Sequence, residues 1–344
     1  MIPAAFEYVR AHSIDEAIAH LQQHGGDARV LAGGQSLIPA MRFRLARPAV
    51  LVDINSVRDL SYLRATDGVL EIGATSRDSD VERAGWIGDR RWSLIHDVSR
   101  VVADPVVRQM GTVVGSLCHN DPSGDWTTAA LASRAEVVVR GKAGARTVPI
   151  DEFLVDSFTT AVGEGEMAVA ARFPKPDDRT AGSYQKIERK VGDFATAAAA
   201  VQISLNADGT VRAAGIALSA AGPCAVRVDE AERLLVGREP SDETIRAAAD
   251  AASRRSAPQA DLRGGVDYKK HLAGVLVARG LRQALARLGA RASRSTGSSG
   301  PATSSRARCS CTSCATTAAR PARTSAATPR AAAAASSSST ATVR

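Results

Sequence analysis

The alternation of apolar and polar positions divides the chain into short elements of both kinds. Ile14, Ala17, Ile18 and Leu21 recur at helical spacing behind Ser13-Ile14-Asp15-Glu16, where Ser13 can cap the first turn and Glu16 can reach back to it. Gly25-Gly26 ends that run. Residues 28–32, apolar but for Arg29, predict a strand, and 38–45 predict a helix. Two more strands are expected at 49–54 and 69–74, the second entered through Asp67-Gly68. Helices are expected over 78–84, over 94–102 (stopping short of Pro105) and over the alanine-rich 127–133. Residues 136–140 and 166–173 predict strands, with a short apolar element at 150–154 between them.

Pro174 and Pro176 with Asp177-Asp178 mark a boundary. Beyond it, 183–187, 197–205 and 211–219 read as strands, the last two joined by the hairpin signal Asn206-Ala207-Asp208-Gly209. Residues 230–235, 241–252 and 268–288 read as helices. This order of elements is α+β rather than a regular βαβ alternation.

The pattern stops at Ser293. From there to Arg344 the chain holds seven Arg, three Cys and one Val, with no Asp, Glu, Lys, Leu, Ile, Phe, Met, Tyr or Trp. Such a segment has too little apolar surface to bury, so 291–344 is expected to be a disordered low-complexity tail, and its composition suggests out-of-frame translation of GC-rich DNA. It also changes the charge picture. The formal +8 of the 344 residues falls to 8 − 7 = +1 for residues 1–292, which removes support for nucleic-acid binding. No apolar run approaches the roughly 20 residues of a membrane span, and the N-terminus lacks a secretory pattern. Cys118 and Cys224 stand alone, as in a reducing compartment; Cys309, Cys311 and Cys314 lack a fourth ligand for a metal or cluster. No metal ligand set is expected in the body of the chain.

The candidate chemistry lies at two glycine-containing stretches. Leu31-Ala32-Gly33-Gly34-Gln35-Ser36-Leu37 follows a strand and precedes a helix, so the amides of Gly33, Gly34, Gln35 and Ser36 can form an anion-binding nest; a plain turn is the alternative. Gly111-Thr112-Val113-Val114-Gly115-Ser116 lies far downstream, and the reading is that the fold brings the two turns around one pyrophosphate. There is no G-x-G-x-x-G, no Walker A and no G-x-S-x-G. His96, His119 and His271 have no metal spacing and read as surface or capping residues.

Taken together these stretches resemble a known family. Ala32-Gly33-Gly34-Gln35-Ser36-Leu37 resembles its A-G-G-[HQ]-S-L motif. Ile72-Gly73-Ala74 with Arg77, Val81 and Glu82 resembles I-G-A-x-T-R-x-x-x-x-E, and Gly111 to Pro122 resembles G-T-I-G-G-S-L-A-H-A-D-P. The strand from Glu166 to Pro174, Tyr184-Gln185-Lys186 as a Y-x-K, and Tyr268 to Ala273 complete a match over residues 1–289. The family is the FAD-binding medium subunit of the molybdenum hydroxylases, nearest to aerobic carbon monoxide dehydrogenase and xanthine dehydrogenase FAD subunits.

The resemblance implies a vanillyl-alcohol-oxidase (PCMH-type) FAD-binding fold in residues 1–176, built of two α/β subdomains at about 1–55 and 56–176. A flavoprotein C-terminal-like domain of sheet and helices would follow at 177–290. It implies that Ala32, Gly33, Gly34, Gln35, Ser36 and Leu37, with Thr112, Val113, Val114, Gly115 and Ser116, hold the FAD pyrophosphate. Asp125 would accept ribityl or ribose hydroxyls, Ala168 would lie near the flavin ring, and Lys186 would supply a fixed positive charge; outside the motif, Lys186 alone reads as a solvated strand lysine. Val114 stands where the family has a glycine, and a β-branched residue tolerates φ > 0 poorly, so either the turn takes another conformation or flavin affinity falls. No catalytic residue is assigned.

The implied role is electron transfer, from iron–sulfur clusters of a partner to an external quinone, cytochrome or NAD⁺. A large subunit would carry the molybdenum cofactor and a small one two [2Fe–2S] clusters, as a dimer of heterotrimers. The expected location is the cytoplasm, with the inner membrane face as the alternative. A self-sufficient FAD oxidoreductase and a flavin-free scaffold are the rival readings.

Overall fold

The computed structural model describes residues 2–66 and 68–289; the tail cysteines and the rest of 290–344 lie outside them. Three larger sheets and a two-stranded ribbon organise these residues.

In the first sheet, β1 (Glu7–Arg10) and β2 (Ala28–Leu31) flank β3 (Val50–Asp53), both in parallel register. Parallel neighbours need crossovers, which α1 (Ile14–His24) and α2 (Leu37–Arg42) help to supply. The capping box is in place: Glu16 N donates to Ser13 Oγ at 3.1 Å and His12 N to Glu16 Oε2 at 2.8 Å. Ala17, Ile18 and Leu21 are the buried face of α1. Helix α2 stops earlier than its apolar pattern predicts; two residues on, Arg44 turns left-handed at φ 63°. Strand β1 is largely exposed and so has no apolar face to betray it; its order comes from pairing with the fully buried β3.

The second sheet runs β4 (Leu63–Thr66), β5 (Val69–Gly73), β10, β6, β7 in space and is antiparallel throughout. Here β6 is Glu136–Gly141, β7 is Gly144–Pro149 and β10 is Met167–Pro174. Edge strands β4 and β7 were not predicted, because most of their side chains face water and no alternation survives. Between β5 and β6 come α3 (Asp78–Arg83), α4 (Ser93–Val101), α5 (Pro105–Arg108), α6 (Val113–His119) and α7 (Asp125–Ser133). Between β7 and β10 lie α8 (Ile150–Phe153) and the ribbon β8 (Leu154–Asp156) with β9 (Thr159–Thr160).

The third sheet, β11 (Thr180–Ile187), β12 (Ala197–Leu205), β13 (Val211–Ser219) and β14 (Val226–Arg227), is also antiparallel and is followed by α9 (Asp229–Leu235), α10 (Asp242–Arg255) and α11 (Val266–Arg287). Its centre explains the alanine run. In β12, Ala198 and Ala200 belong to the core shared with the FAD-binding part, while Ala197, Ala199 and Val201 belong to the core under α9–α11. Small side chains on both faces let helices pack on both sides of one strand. Helix α11 ends on a clamp: Arg287 donates to Asp97 of α4 through two hydrogen bonds of 2.8 and 2.9 Å. Among the described residues no helix is long and apolar enough to cross a membrane.

Candidate flavin site

The first glycine turn sits at the carboxyl end of the parallel strands β2 and β3, where open α/β sheets bind ligands. Gly34 has φ +71°, which only glycine adopts without strain. Gly33 serves a different end. A Cβ there would lie 2.2 Å from the Met110 carbonyl oxygen and 3.0 Å from Gly111 Cα, so the bare backbone lets the first turn rest on the second stretch.

Polar braces hold this contact. Asn55 Nδ2 donates to the Ala32 carbonyl at 2.9 Å, and Arg77 donates to Asn55 Oδ1 at 2.6 Å and to the Met110 carbonyl at 2.7 Å. Asp78 N donates to the Gly111 carbonyl at 2.9 Å. Among the described residues no backbone or side-chain acceptor takes the amide protons of Gly33, Gly34, Gln35 or Ser36. Ser36 is the N-cap residue of α2 and Leu37 its first residue. Gly33, Gly34 and Gln35 border an open cleft of ≈ 380 Å³, lined also by Arg42, Asn55 and Met110. Unpartnered amides beside a guanidinium suit an anion, so the residues fit the pyrophosphate of FAD.

The second stretch is not a turn, which corrects the sequence reading. Thr112 caps α6, its Oγ1 accepting from Gly115 N at 3.1 Å, and Ser116 N donates to the Thr112 carbonyl at 3.0 Å. Val113 and Val114 form the first turn of α6 and are buried in the core. Neither is left-handed, so the strain expected of a β-branched residue at 114 does not arise; the alternative backbone conformation is the one adopted. The glycines here provide room. A Cβ on Gly111 would stand 2.4 Å from Asp78 Oδ2, and one on Gly115 2.5 Å from Thr112 Oγ1.

Asp125, at the start of α7, is buried with both oxygens engaged. Tyr184 OH donates to Oδ1 at 2.7 Å and Lys186 Nζ to Oδ2 at 2.9 Å. Burial pushes the Asp125 carboxyl up, against the pull of Lys186. Burial, and then the Asp125 charge, raise the Tyr184 phenol well above its ordinary value, so it stays a donor. Lys186 is thus paired and nearly inaccessible rather than a free surface charge; its side chain is 4% exposed. Next in the chain, Trp126 Nε1 donates to Asp78 Oδ1 at 2.9 Å. Burial raises Asp78 to about 7, with the Trp126 indole and Arg108 opposing. Ala168 is buried in β10 at a bulge against β6, one residue before Val169, whose carbonyl accepts from Ala74 N at 3.0 Å.

Asn55, Arg42 and Asp78 were not singled out from the sequence. Asn55 had a signal, lying just past the end of β3 beside the glycine turn; Arg42 and Asp78 had none, because each matters only through partners distant in the chain.

With this geometry in hand, known proteins give a consistent picture. The FAD binding domain in molybdopterin dehydrogenase matches residues 4–176, and the CO dehydrogenase flavoprotein C-terminal domain matches residues 182–284. The chain is 39% identical over 287 residues to the carbon monoxide dehydrogenase medium chain of Hydrogenophaga pseudoflava, covering 83% of this chain and 99% of that one. It is 33% identical over 287 residues to the 6-hydroxypseudooxynicotine dehydrogenase complex subunit alpha of Paenarthrobacter nicotinovorans, covering 83% and 97%. Carbon monoxide dehydrogenase from Hydrogenophaga pseudoflava lacking the Mo-pyranopterin moiety superposes with a TM-score of 0.81 at 40% identity, over 83% of this chain and 99% of that one. Quinoline 2-oxidoreductase from Pseudomonas putida 86 gives 0.78 at 30% identity, over 84% and 99%. The chain belongs to the FAD-binding medium-subunit family of the molybdopterin dehydrogenases, as an FAD-dependent oxidoreductase subunit of the carbon monoxide dehydrogenase type.

Proposed function

We propose that this chain is the electron-transfer subunit of a molybdenum hydroxylase, receiving electrons from the [2Fe–2S] clusters of a small partner and passing them to an external acceptor. A large partner carries the molybdenum cofactor and oxidises the substrate, and the whole is a dimer of heterotrimers. The observation that carries the reading is the cleft at Gly33–Gln35, where three amides without internal acceptors meet Arg42. FAD supplies a centre able to work in both one-electron and two-electron steps.

In this reading the amides of the first glycine turn and of Val113 and Val114 at the start of α6 bind the pyrophosphate, while Gly115 and Ser116, whose amides are taken by the Thr112 cap, shape that end of the helix. Arg42 neutralises part of its charge, and Asp125 still has lone pairs with which to accept a hydroxyl. Ala168 lines the ring side, and Lys186 fixes the orientation of Asp125. The relatives are named for carbon monoxide, 6-hydroxypseudooxynicotine and quinoline, so the shared element is the flavin module and not the substrate. The scaffold alternative loses its motive, because Val114 sits unstrained inside α6.

The test is an absorption spectrum of the purified full chain with and without FAD. Bound flavin gives bands at ~370 and ~450 nm, and addition of the reduced iron–sulfur partner bleaches them. A chain that takes up no FAD, or holds FAD that the partner does not reduce, defeats the reading.

A further inference from the structure

Lys186 faces two carboxylates. Its Nζ lies 2.9 Å from Asp125 Oδ2 and 3.3 Å from Glu188 Oε2, and donates to the Val101 carbonyl at 3.1 Å. Two of the three ammonium protons are given in hydrogen bonds, to Asp125 and to the Val101 carbonyl. Glu188 Oε2 is enclosed, yet it has no hydrogen bond of normal geometry among the described residues; what holds it there is attraction to the Lys186 charge. The other oxygen, Oε1, accepts from Gly192 N at 3.3 Å, in the loop that joins β11 to β12. With all three groups ionised, Asp125, Lys186 and Glu188 sum to −1. That is the reverse of the free positive charge expected of Lys186 from the sequence.

This cluster is contiguous with the glycine site. Asp78 holds Gly111 through its amide and accepts from Trp126, whose chain neighbour is Asp125. The other charged groups around it are engaged elsewhere. Asp97 accepts from Tyr184 N and pairs with Arg287, Asp104 caps α5, and Asp193 pairs with Arg189 and Arg263.

We propose that Glu188 is a charge-setting positioning residue of the flavin site: it adds a net negative charge to the neutral pair of Asp125 and Lys186, so this corner opposes extra negative charge on the cofactor and lowers its reduction potential. The inference rests on the reading that FAD binds at the glycine cleft with Asp125 and Lys186 among its holders.

The test is the midpoint potential of the FAD-loaded full chain for wild type, Glu188→Gln and Glu188→Ala. Gln keeps the size and the Gly192 acceptor but not the charge. The expected result is that both variants favour reduced flavin by about tenfold, which is ~30 mV for a two-electron couple. A shift in Glu188→Ala alone would mean that the side chain only props the loop, and no shift in either would mean that its charge is not felt; both overturn the proposal. A second measurement needs no flavin. In the FAD-free chain, Glu188→Gln lowers the pH at which the Asp125 carboxyl titrates by ¹³C NMR, because a neighbouring negative charge is gone. An unmoved Asp125 overturns the proposal whatever the flavin does. A wild type that binds no FAD overturns the parent reading, while the NMR result still decides whether Glu188 and Asp125 are coupled.

Discussion

At Gly33 and Gly34 the missing side chains let the turn rest on Met110 and go left-handed, and the amide protons stay without acceptors beside a cleft. At Gly111 and Gly115 they leave room for the Asp78 carboxylate and for the Thr112 cap, and the Gly115 amide is taken up internally. The same residue type therefore does two jobs in one site. One stretch leaves its amides open where the proposed flavin would bind; the other is packed tightly and gives the first a floor. Substitutions that look alike on paper should separate the two.

Gly33→Ala is expected to have the largest effect. Its Cβ would meet backbone rather than a flexible side chain, so the turn must lift from Met110. A loss of about 4 kcal/mol or more is expected by denaturant titration, together with loss of FAD uptake. Uptake of FAD with unchanged affinity would show that the contact between the two stretches is incidental.

Asp78→Asn tests the floor through pH. The folded-state value is about 7, above that of an unfolded aspartate at ~3.9. Below pH ~4 the acid is protonated in both states, and wild type and variant are level. Between pH ~4 and ~7 the unfolded chain gives up this proton while the folded acid keeps it, so the wild type loses stability relative to the variant, on the order of 4 kcal/mol once pH has passed 7. Asparagine keeps an oxygen to accept from Trp126, so a variant that is less stable at every pH would break the argument.

Val114→Gly gives the smallest effect and the sharpest contrast. It restores the glycine of the motif that this stretch resembles, yet it removes a buried side chain and puts glycine in a helix, at a cost of about 2–3 kcal/mol. Flavin affinity, measured by fluorescence quenching, is expected to stay within about threefold. A large gain in affinity would mean that position 114 belongs to the bare stretch after all.

The residues explain which parts were legible in the sequence. The first turn shows itself because two glycines break a strand-to-helix passage within a few residues. The Thr112 cap was hidden because position 115 is Gly rather than the Glu or Gln of a capping box, so the stretch read as another loop. The alternating faces of β12 are hidden by alanine on both sides, although its strand character is plain. Strands β1, β4 and β7 lie partly in water and carry no periodic signal. The pairing of Asp125 with Lys186 joins residues far apart in the chain, and no local pattern encodes it; the motif match placed both near the flavin without showing that they neutralise each other.

One consequence of that pairing concerns inheritance. The FAD-binding module ends near residue 176, but Tyr184 and Lys186, which satisfy its buried Asp125, come from β11 at the start of the next module. A fragment cut at 176 would lose both donors of Asp125 together with the sheet against which α7 packs. Recombination that exchanged the C-terminal module for one lacking this tyrosine and lysine would bury the carboxylate with no cation beside it. The two modules are separable as sequence matches but not as units of exchange.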